Sequence, residues 1–281
     1  MKTLEVENLC RKFGGLDAVN NLSFSVETGK ISGLVGPNGA GKTTVLNLIS
    51  GMDTPSSGVI RINGIDTGNL KTHQYANLGL SRTYQNIKLF KGMSVVEHVL
   101  VGLDTRRNTK LWQMLVPIRV DLRERSAMHE KAMELLERLS ISHLAEVDAM
   151  TLSYGLQRRL EIARALGSQP KLLLLDEPTA GMNKSESADI KELLESLNKE
   201  GLTILIVEHN IKFISDICSE VTVINFGEKL RSGSAEEVFN SKDVRDAYLG
   251  KERNEMVLHF EKLRAGVSRD LDVASFSRKS D

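Results

Sequence analysis

The sequence lacks the features that mark secreted or membrane-spanning proteins. It contains two cysteines in 281 residues, which are too few for a disulfide framework or a structural zinc site and are typical of a reducing cytosol. Its longest apolar runs are four residues, Leu172–Leu175 and Ile204–Val207, whereas a membrane-spanning helix needs about 20. The opening segment MKTLEVENL has no apolar stretch of the kind found in a secretory signal. We therefore expect a cytoplasmic protein without membrane spans of its own.

A charge excess of either sign is also missing. Lysine plus arginine and aspartate plus glutamate each number 37, so the formal net charge is zero. This balance argues against binding to nucleic acid or to an acidic membrane through bulk charge, and we expect no nucleic-acid partner. Hydrophobic residues make up 41% of the chain, which is ordinary for a globular protein. The length allows about two domains or one large domain.

Hydrophobic periodicity divides the chain into an α/β core and a helical insertion. Residues 2–9 and 21–26 alternate polar and apolar side chains, which predicts half-buried strands, and 31–35 is a third strand. Charged segments with helical spacing occupy about 86–150. From Lys171 onward, short apolar runs alternate with helical patterns, as in a parallel sheet covered on both faces.

A glycine-rich segment between the third strand and a helix that begins near Lys42 matches the pattern G-x-x-x-x-G-K-[ST]. Glycines let the backbone wrap closely around phosphate oxygens, and the N-terminus of the following helix attracts negative charge. The pattern predicts that Lys42 reaches the β- and γ-phosphates and that the Thr43 hydroxyl ligates Mg²⁺. The predicted nucleotide-binding residues are Gly36, Pro37, Asn38, Gly39, Ala40, Gly41, Lys42, Thr43 and Thr44.

Two acidic residues follow the apolar run Leu172–Leu175. Asp176, at the end of a buried strand, is well placed to hold Mg²⁺ directly or through water. The adjacent Glu177 is a candidate to orient or deprotonate an attacking water. On its own this pair is a weak signal, but together with the phosphate-binding segment it indicates an ATPase or a GTPase.

A third segment decides which phosphate-binding family the chain is similar to. It reads Leu152-Ser153-Tyr154-Gly155-Leu156-Gln157-Arg158-Arg159. This segment resembles the Leu-Ser-Gly-Gly-Gln signature of ATP-binding cassette (ABC) transporter ATPases, from which Tyr154 and Leu156 depart. The resemblance implies a P-loop α/β fold with a parallel-sheet subdomain, an antiparallel β subdomain and a helical insertion. It also implies that Ser153 and Gly155 contact the γ-phosphate of ATP bound to another subunit, while Ser153 also caps its helix.

The same resemblance assigns roles to single residues elsewhere in the chain. Gln85 matches the glutamine that senses Mg²⁺ and links the core to the helical insertion. His209 matches the histidine that contacts the γ-phosphate, and Phe13 matches the aromatic residue that stacks on adenine. Asn183 stands where the family more often has aspartate, which we expect to alter communication across a dimer. We predict structural roles for the other five histidines.

Further segments resemble one branch of the family, the ATPases of branched-chain (hydrophobic) amino acid importers. They are Ser81-Arg82-Thr83-Tyr84-Gln85-Asn86-Ile87-Lys88-Leu89-Phe90, the insertion around 104–130, Tyr154-Gly155 with the following Arg158–Arg164, and Ala180-Gly181-Met182-Asn183. This branch implies two different ATPase subunits beneath two integral-membrane permease subunits, at the cytoplasmic face of the cell membrane. The branch also implies a solute-binding protein that delivers the substrate and is linked to the ATPase only indirectly.

The resemblance also predicts how the chain is divided. Residues 1–250 are expected to form the ABC ATPase domain, with a helical subdomain at about 86–165. The resemblance does not cover 251–281, whose many charged residues and weak periodicity predict a short helix and then a loose tail. We expect a permease to dock on the segment 86–91 beside Gln85, with Phe90 as its apolar anchor. The alternative is that Leu89 and Phe90 fill the core of the helical subdomain.

Other functions share parts of this pattern. A GTPase is rejected, because Asn183-Lys184-Ser185-Glu186 ends in glutamate rather than the aspartate of N-K-x-D and a GTPase has no use for the signature segment. A soluble, non-transport ABC ATPase is disfavoured, because the chain has no sustained heptad repeat. The ATPase of a lipid or lipopolysaccharide exporter would have the same catalytic residues and remains an open alternative.

Overall fold

The structure is a computed structural model that describes residues 1–104 and 122–249. Its strands are β1 (Lys2–Phe13), β2 (Leu16–Glu27), β3 (Ile31–Val35), β4 (Ser57–Ile62), β5 (Ile65–Asp66), β6 (Leu80–Arg82), β7 (Leu172–Asp176), β8 (Thr203–Val207), β9 (Glu220–Asn225) and β10 (Glu228–Gly233). Its α-helices are α1 (Lys42–Ile49), α2 (Val95–Asp104), α3 (Leu122–Arg138), α4 (Tyr154–Gly167), α5 (Lys184–Lys199), α6 (Ile211–Ile217), α7 (Ala235–Asn240) and α8 (Lys242–Leu249). The predicted tail over 251–281 and most of the insertion around 104–130 lie outside the described residues.

A six-stranded sheet in the order β10-β9-β3-β8-β7-β6 forms the centre of the fold. Neighbouring strands from β9 to β6 are parallel, and β10 pairs antiparallel with β9 at one edge. Every residue of β3, β7 and β8 is buried. Alternate side chains of β7 enter different cores: Leu173 and Leu175 pack in one, Leu172 and Leu174 in the other. The prediction of a parallel sheet covered on both faces is confirmed.

A four-stranded antiparallel sheet in the order β2-β1-β4-β5 lies beside the central sheet. Both long strands extend beyond the predicted ranges 2–9 and 21–26. The register of β1 shifts near Asn8, whose φ is 47°. This bulge interrupts the polar–apolar alternation without ending the strand, which is why periodicity alone gave strands that were too short.

Helices α2, α3 and α4 pack together in the region predicted to be helical. In α3 and the residues after it, Ala132, Leu136 and Leu139 are fully buried and belong to the hydrophobic core that these helices share with the central sheet. A Cβ on Gly102 of α2 would lie 2.1 Å from the Arg164 carbonyl oxygen of α4, so glycine permits this close packing. No helix in 1–104 or 122–249 combines the length and apolar character that a bilayer span requires.

Candidate nucleotide-binding and catalytic site

Most of the predicted site residues gather at the carboxyl ends of three neighbouring parallel strands. Gly36 follows β3, Asp176 ends β7, and His209 lies two residues beyond the end of β8. Ligands bind at this edge in open α/β sheets because the loops that leave the strands converge there.

The segment from Gly36 to Gly41 forms a tight loop that leads into α1, whose first residues are Lys42, Thr43 and Thr44. A Cβ on Gly36 would lie 2.2 Å from the Ile224 carbonyl oxygen, so no larger residue fits at that position. Gly41 has a φ of 100° and precedes the first residue of α1, which orients the N-terminus of the helix toward the loop. The Gly227 amide donates to the Ala40 carbonyl at 3.0 Å and ties the loop to the β9–β10 turn. Asn38, Gly39 and Thr43 are exposed on the open side.

Lys42 is the first residue of α1, and its side chain folds back onto this loop, so that only 7% of the residue's surface is exposed. Its ammonium donates to the Gly36 carbonyl at 2.7 Å and to the Pro37 carbonyl at 3.1 Å. Burial lowers the pKa of Lys42 from its usual value, and the carboxylates of Glu177 and Asp176 act in the opposite direction. The Lys42 ammonium thus lies at the loop, where it supplies the positive charge that a polyphosphate requires.

Asp176 is held by Arg82, a residue that the motif analysis quoted without a role. The Arg82 Nη2 lies 3.0 Å from the Asp176 Oδ2, and the two side chains are only 6% and 7% exposed. The other terminal nitrogen donates to Asn47 Oδ1 at 2.8 Å and to Ser50 Oγ at 2.9 Å in and beside α1. Arg82 thus joins the strand that carries Asp176 to the helix that carries Lys42.

Glu177, Gln85 and His209 form one cluster, as the sequence suggested. The Gln85 amide nitrogen donates to Glu177 Oε2 at 2.7 Å. The His209 Nδ1 lies 3.7 Å from Glu177 Oε1. Glu177 has a φ of 46°, a conformation uncommon for residues other than glycine, and its amide donates to the Val207 carbonyl at 2.8 Å. Backbone strain of this kind is often found at functional sites.

Glu208 was not singled out by the sequence analysis. Its side chain is fully buried and accepts hydrogen bonds from the Thr179 amide at 3.0 Å and from the Thr179 hydroxyl. Its second oxygen accepts from the His209 amide at 2.9 Å and the Asn210 amide at 3.3 Å. Glu208 therefore fixes the backbone after Glu177 relative to His209, so it supports two candidate catalytic residues at once.

The remaining predicted residues lie apart from this cluster. Phe13 ends β1, is 47% exposed, and has the Arg11 guanidinium 4.5 Å above its ring. Ser153 and Gly155 lie at the start of α4, where the atoms nearest to a Cβ on Gly155 would belong to Glu186 of α5. Ser153 occupies the N-cap position, but its side chain makes no capping hydrogen bond, so the prediction of a serine side-chain cap was wrong. Asn183 does cap α5, accepting from the Ser185 and Glu186 amides.

The donor set fits a magnesium ion. The hydroxyl of Thr43, the carboxylate of Asp176 and the amide oxygen of Gln85 are all hard oxygen ligands of the type Mg²⁺ prefers. Among residues 1–104 and 122–249 no group of three or more His, Cys, Asp or Glu side chains forms a metal cage. In nucleotide enzymes, Mg²⁺ is commonly held by one or two protein ligands together with substrate phosphate oxygens.

The fold and the site define a P-loop nucleotide-binding protein, and comparison with known proteins places it more narrowly. The ABC transporter family model matches residues 19–180. The chain is 42% identical over 250 residues to the high-affinity branched-chain amino acid transport ATP-binding protein BraF of Pseudomonas aeruginosa, covering 88% of this chain and 98% of BraF. It is 35% identical over 252 residues to the lipopolysaccharide export system ATP-binding protein LptB of Haemophilus influenzae, covering 90% of this chain and 99% of LptB.

A solved structure from an ABC transporter is also similar to this chain. The crystal structure of a nucleotide-free ATP-binding cassette from an ABC transporter superposes with a TM-score of 0.79 at 30% identity, covering 89% of this chain and all of that one. The chain belongs to the ABC transporter family. The predicted fold class, an ABC ATPase core with parallel and antiparallel sheets and a helical insertion, is confirmed.

Proposed function

We propose that this chain is the ATP-binding and ATP-hydrolysing subunit of an ABC transporter that imports branched-chain or other hydrophobic amino acids. The observation that carries the ATPase assignment is the cluster of Gln85, Glu177 and His209 beside the loop that holds Lys42. The substrate assignment is supported by the 42% identity to BraF along nearly its whole length.

In the proposed reaction, Glu177 orients and polarises the attacking water, and His209 supports the γ-phosphate. Lys42 and the loop amides stabilise charge on the phosphates. When bound, Mg²⁺ neutralises phosphate charge, and Thr43, Asp176 and Gln85 are the residues that would hold it. Phe13, exposed at the end of β1, is proposed to stack on adenine.

The site is proposed to be completed by a second ATPase subunit. Ser153 and Gly155 lie at the start of α4, whereas this chain's own phosphate-binding loop precedes α1, an arrangement that leaves them available to serve the nucleotide of a partner. Ser153 is exposed at the N-terminus of α4, a location that suits an anion. Tyr154, Leu156 and Asn183 differ from the family pattern, which supports a non-identical partner and unequal sites. The isolated chain should accordingly hydrolyse ATP slowly, with a rate per subunit that rises with concentration.

The proposed contact with the membrane permease subunits is the surface around Phe90. Phe90 is 49% exposed, with its ring 5.6 Å from that of His98 and the Arg164 guanidinium 5.7 Å from its centre. Tyr84, Lys88 and Val101 line the same cleft. Leu89, in contrast, packs partly buried against the helical core. An exposed aromatic side chain with a basic rim supports docking rather than a core role for Phe90, and it implies a peripheral location at the cytoplasmic face of the membrane.

A lipopolysaccharide or lipid exporter is the second candidate, supported by the 35% identity to LptB over 90% of this chain. Reconstitution separates the two. The chain is purified with the membrane and ATPase subunits that bind it, placed in vesicles with the solute-binding protein, and supplied with ATP and labelled leucine. ATP-dependent leucine accumulation that is lost with Glu177→Gln supports the import function. ATP hydrolysis without uptake of any hydrophobic amino acid, together with ATP-dependent extraction of lipopolysaccharide, would contradict it.

A further inference from the structure

A buried arginine on α4 donates hydrogen bonds to the backbone next to the candidate catalytic cluster. Arg158 is fully buried. Its Nη1 donates to the Tyr84 carbonyl at 2.7 Å, and its Nη2 donates to the Gln85 carbonyl at 3.0 Å. A planar guanidinium with several fixed donors suits this contact with two successive carbonyls, whereas a lysine ammonium is a compact point charge.

Glu161, on the same helix, binds both Arg158 and the backbone of Tyr84. Its Oε2 accepts from Arg158 Nη1 at 2.7 Å, and its Oε1 accepts from the Tyr84 amide at 3.2 Å. Burial raises the pKa of Glu161, and the Arg158 guanidinium acts in the opposite direction. Both the amide and the carbonyl of Tyr84 are therefore bound to one buried ion pair, which fixes the orientation of the peptide that leads into Gln85.

We call this set of contacts, from Arg158 and Glu161 to the backbone of Tyr84 and Gln85, the clasp. It holds the backbone of Gln85, whose side chain contacts Glu177. Gln85 is exposed, so its own side chain has little packing to hold it, yet its amide nitrogen lies 2.7 Å from Glu177 Oε2. Arg158 also contacts the signature segment, because its Nη2 lies 3.2 Å from the hydroxyl of Tyr154. A continuous set of contacts thus runs from Tyr154 through Arg158 and the Gln85 backbone to Glu177.

We propose that Arg158 is a positioning residue that holds Gln85 against Glu177, and that the Tyr154 hydroxyl connects this clasp to the signature segment. The inference rests on the proposed ATPase function for its catalytic consequence. The segment that serves a partner's nucleotide then also sets the geometry of this subunit's own site. Tyrosine in place of the family's glycine at position 154 supplies the hydroxyl that makes this connection.

The substitution Arg158→Lys tests the clasp, because it keeps a positive charge beside Glu161 but cannot bind both carbonyls. In the full chain, amide hydrogen exchange over residues 83–90 should speed up at least about tenfold, while exchange in β3 stays unchanged. The matched control is Arg159→Lys, since Arg159 donates to the Leu139 carbonyl at 2.9 Å rather than to the Gln85 segment. Equal exchange in the wild type and Arg158→Lys would overturn the clasp, and this result does not depend on any ATPase activity.

The catalytic consequence is tested by a double-mutant cycle on single-turnover ATP hydrolysis in the assembled transporter. We expect Arg158→Lys to lower the rate at least about tenfold with little change in ATP affinity, since small displacements of catalytic groups have large effects. In a Gln85→Ala background the same change should alter the rate less than about twofold, because Arg158 acts through Gln85. Tyr154→Phe should give a smaller loss of rate that also disappears in that background.

Equal losses from Arg158→Lys in both backgrounds would overturn the positioning role, because a purely structural effect would not depend on Gln85. Failure of the proposed function would look different: the wild-type transporter itself would show no magnesium-dependent ATP hydrolysis.

Discussion

The buried ion pair between Arg82 and Asp176 should contribute strongly to stability as well as to the site. The substitution Arg82→Met keeps most of the side-chain volume but removes the charge and its donors. The Asp176 side chain, which is only 7% exposed, then loses its charged partner. Asn47 also loses the donor that lies 2.8 Å from its Oδ1.

Removing one partner of a buried ion pair costs about 3–5 kcal/mol, because the remaining charge is left without compensation. We expect a loss of about 4 kcal/mol in the free energy of unfolding for Arg82→Met. For a chain of this size, a change of 1 kcal/mol moves the melting temperature by about 2–4 °C, so the expected drop is about 8–16 °C.

Urea unfolding followed by circular dichroism measures this change. The matched control is Arg138→Met, because Arg138 pairs with Glu200 at the surface, where the two side chains are 42% and 51% exposed. Exposed pairs contribute at most about 1 kcal/mol, so this control should shift the midpoint little. Equal losses for Arg82→Met and Arg138→Met would refute the argument that burial of the Arg82–Asp176 pair determines its effect.

Three further predictions concern the site and its surroundings. Lys42→Ala should weaken ATP binding at least about tenfold in a fluorescent-nucleotide titration, since a hydrogen bond to a charged group contributes about 1.5–3 kcal/mol; unchanged affinity would contradict the loop assignment. Phe90→Ala should lower the stability of the isolated chain by about 1 kcal/mol or less, because the ring is half exposed, yet uncouple hydrolysis from transport; a drop of many degrees in melting temperature would make Phe90 a core residue. Burial lowers the pKa of His98 in the folded chain below its usual value of 6.5. At a pH just below 6.5, the unfolded chain therefore binds more protons than the folded chain, and the free energy of unfolding falls as the pH drops. His98→Gln, which does not titrate there, should remove this part of the pH dependence measured by urea unfolding at pH 7.5 and 5.5, and an unchanged slope would contradict it.

The phosphate-binding loop could be predicted from the sequence because its function is local. Its glycines, Lys42 and Thr43 lie within the eight positions from Gly36 to Thr43, and their roles follow from the backbone conformation that the spacing requires. The meeting of Asp176 and His209 at one edge also followed, because each lies within two residues of the end of an apolar run that forms a parallel strand. Fold class could be inferred for the same reason, since strand and helix periodicities are local signals.

The supporting residues could not be predicted because their contacts join distant parts of the chain. Arg82 reaches Asp176 across 94 positions, and Arg158 reaches the Tyr84 carbonyl across 74. Neither separation leaves a periodic trace in the sequence. Glu208 did leave one signal: a carboxylate directly after the fully apolar end of β8 must find donors if it is buried, and it finds the Thr179 and His209 amides.

The measurement that tests the account most directly is phosphate release by the assembled transporter carrying Glu177→Gln, with ATP binding followed in the same preparation. Glutamine preserves the side-chain shape but cannot act as the carboxylate that activates water. We predict that ATP still binds with wild-type affinity while steady-state phosphate release falls at least about a hundredfold. Unchanged phosphate release by Glu177→Gln would contradict the proposed catalytic centre.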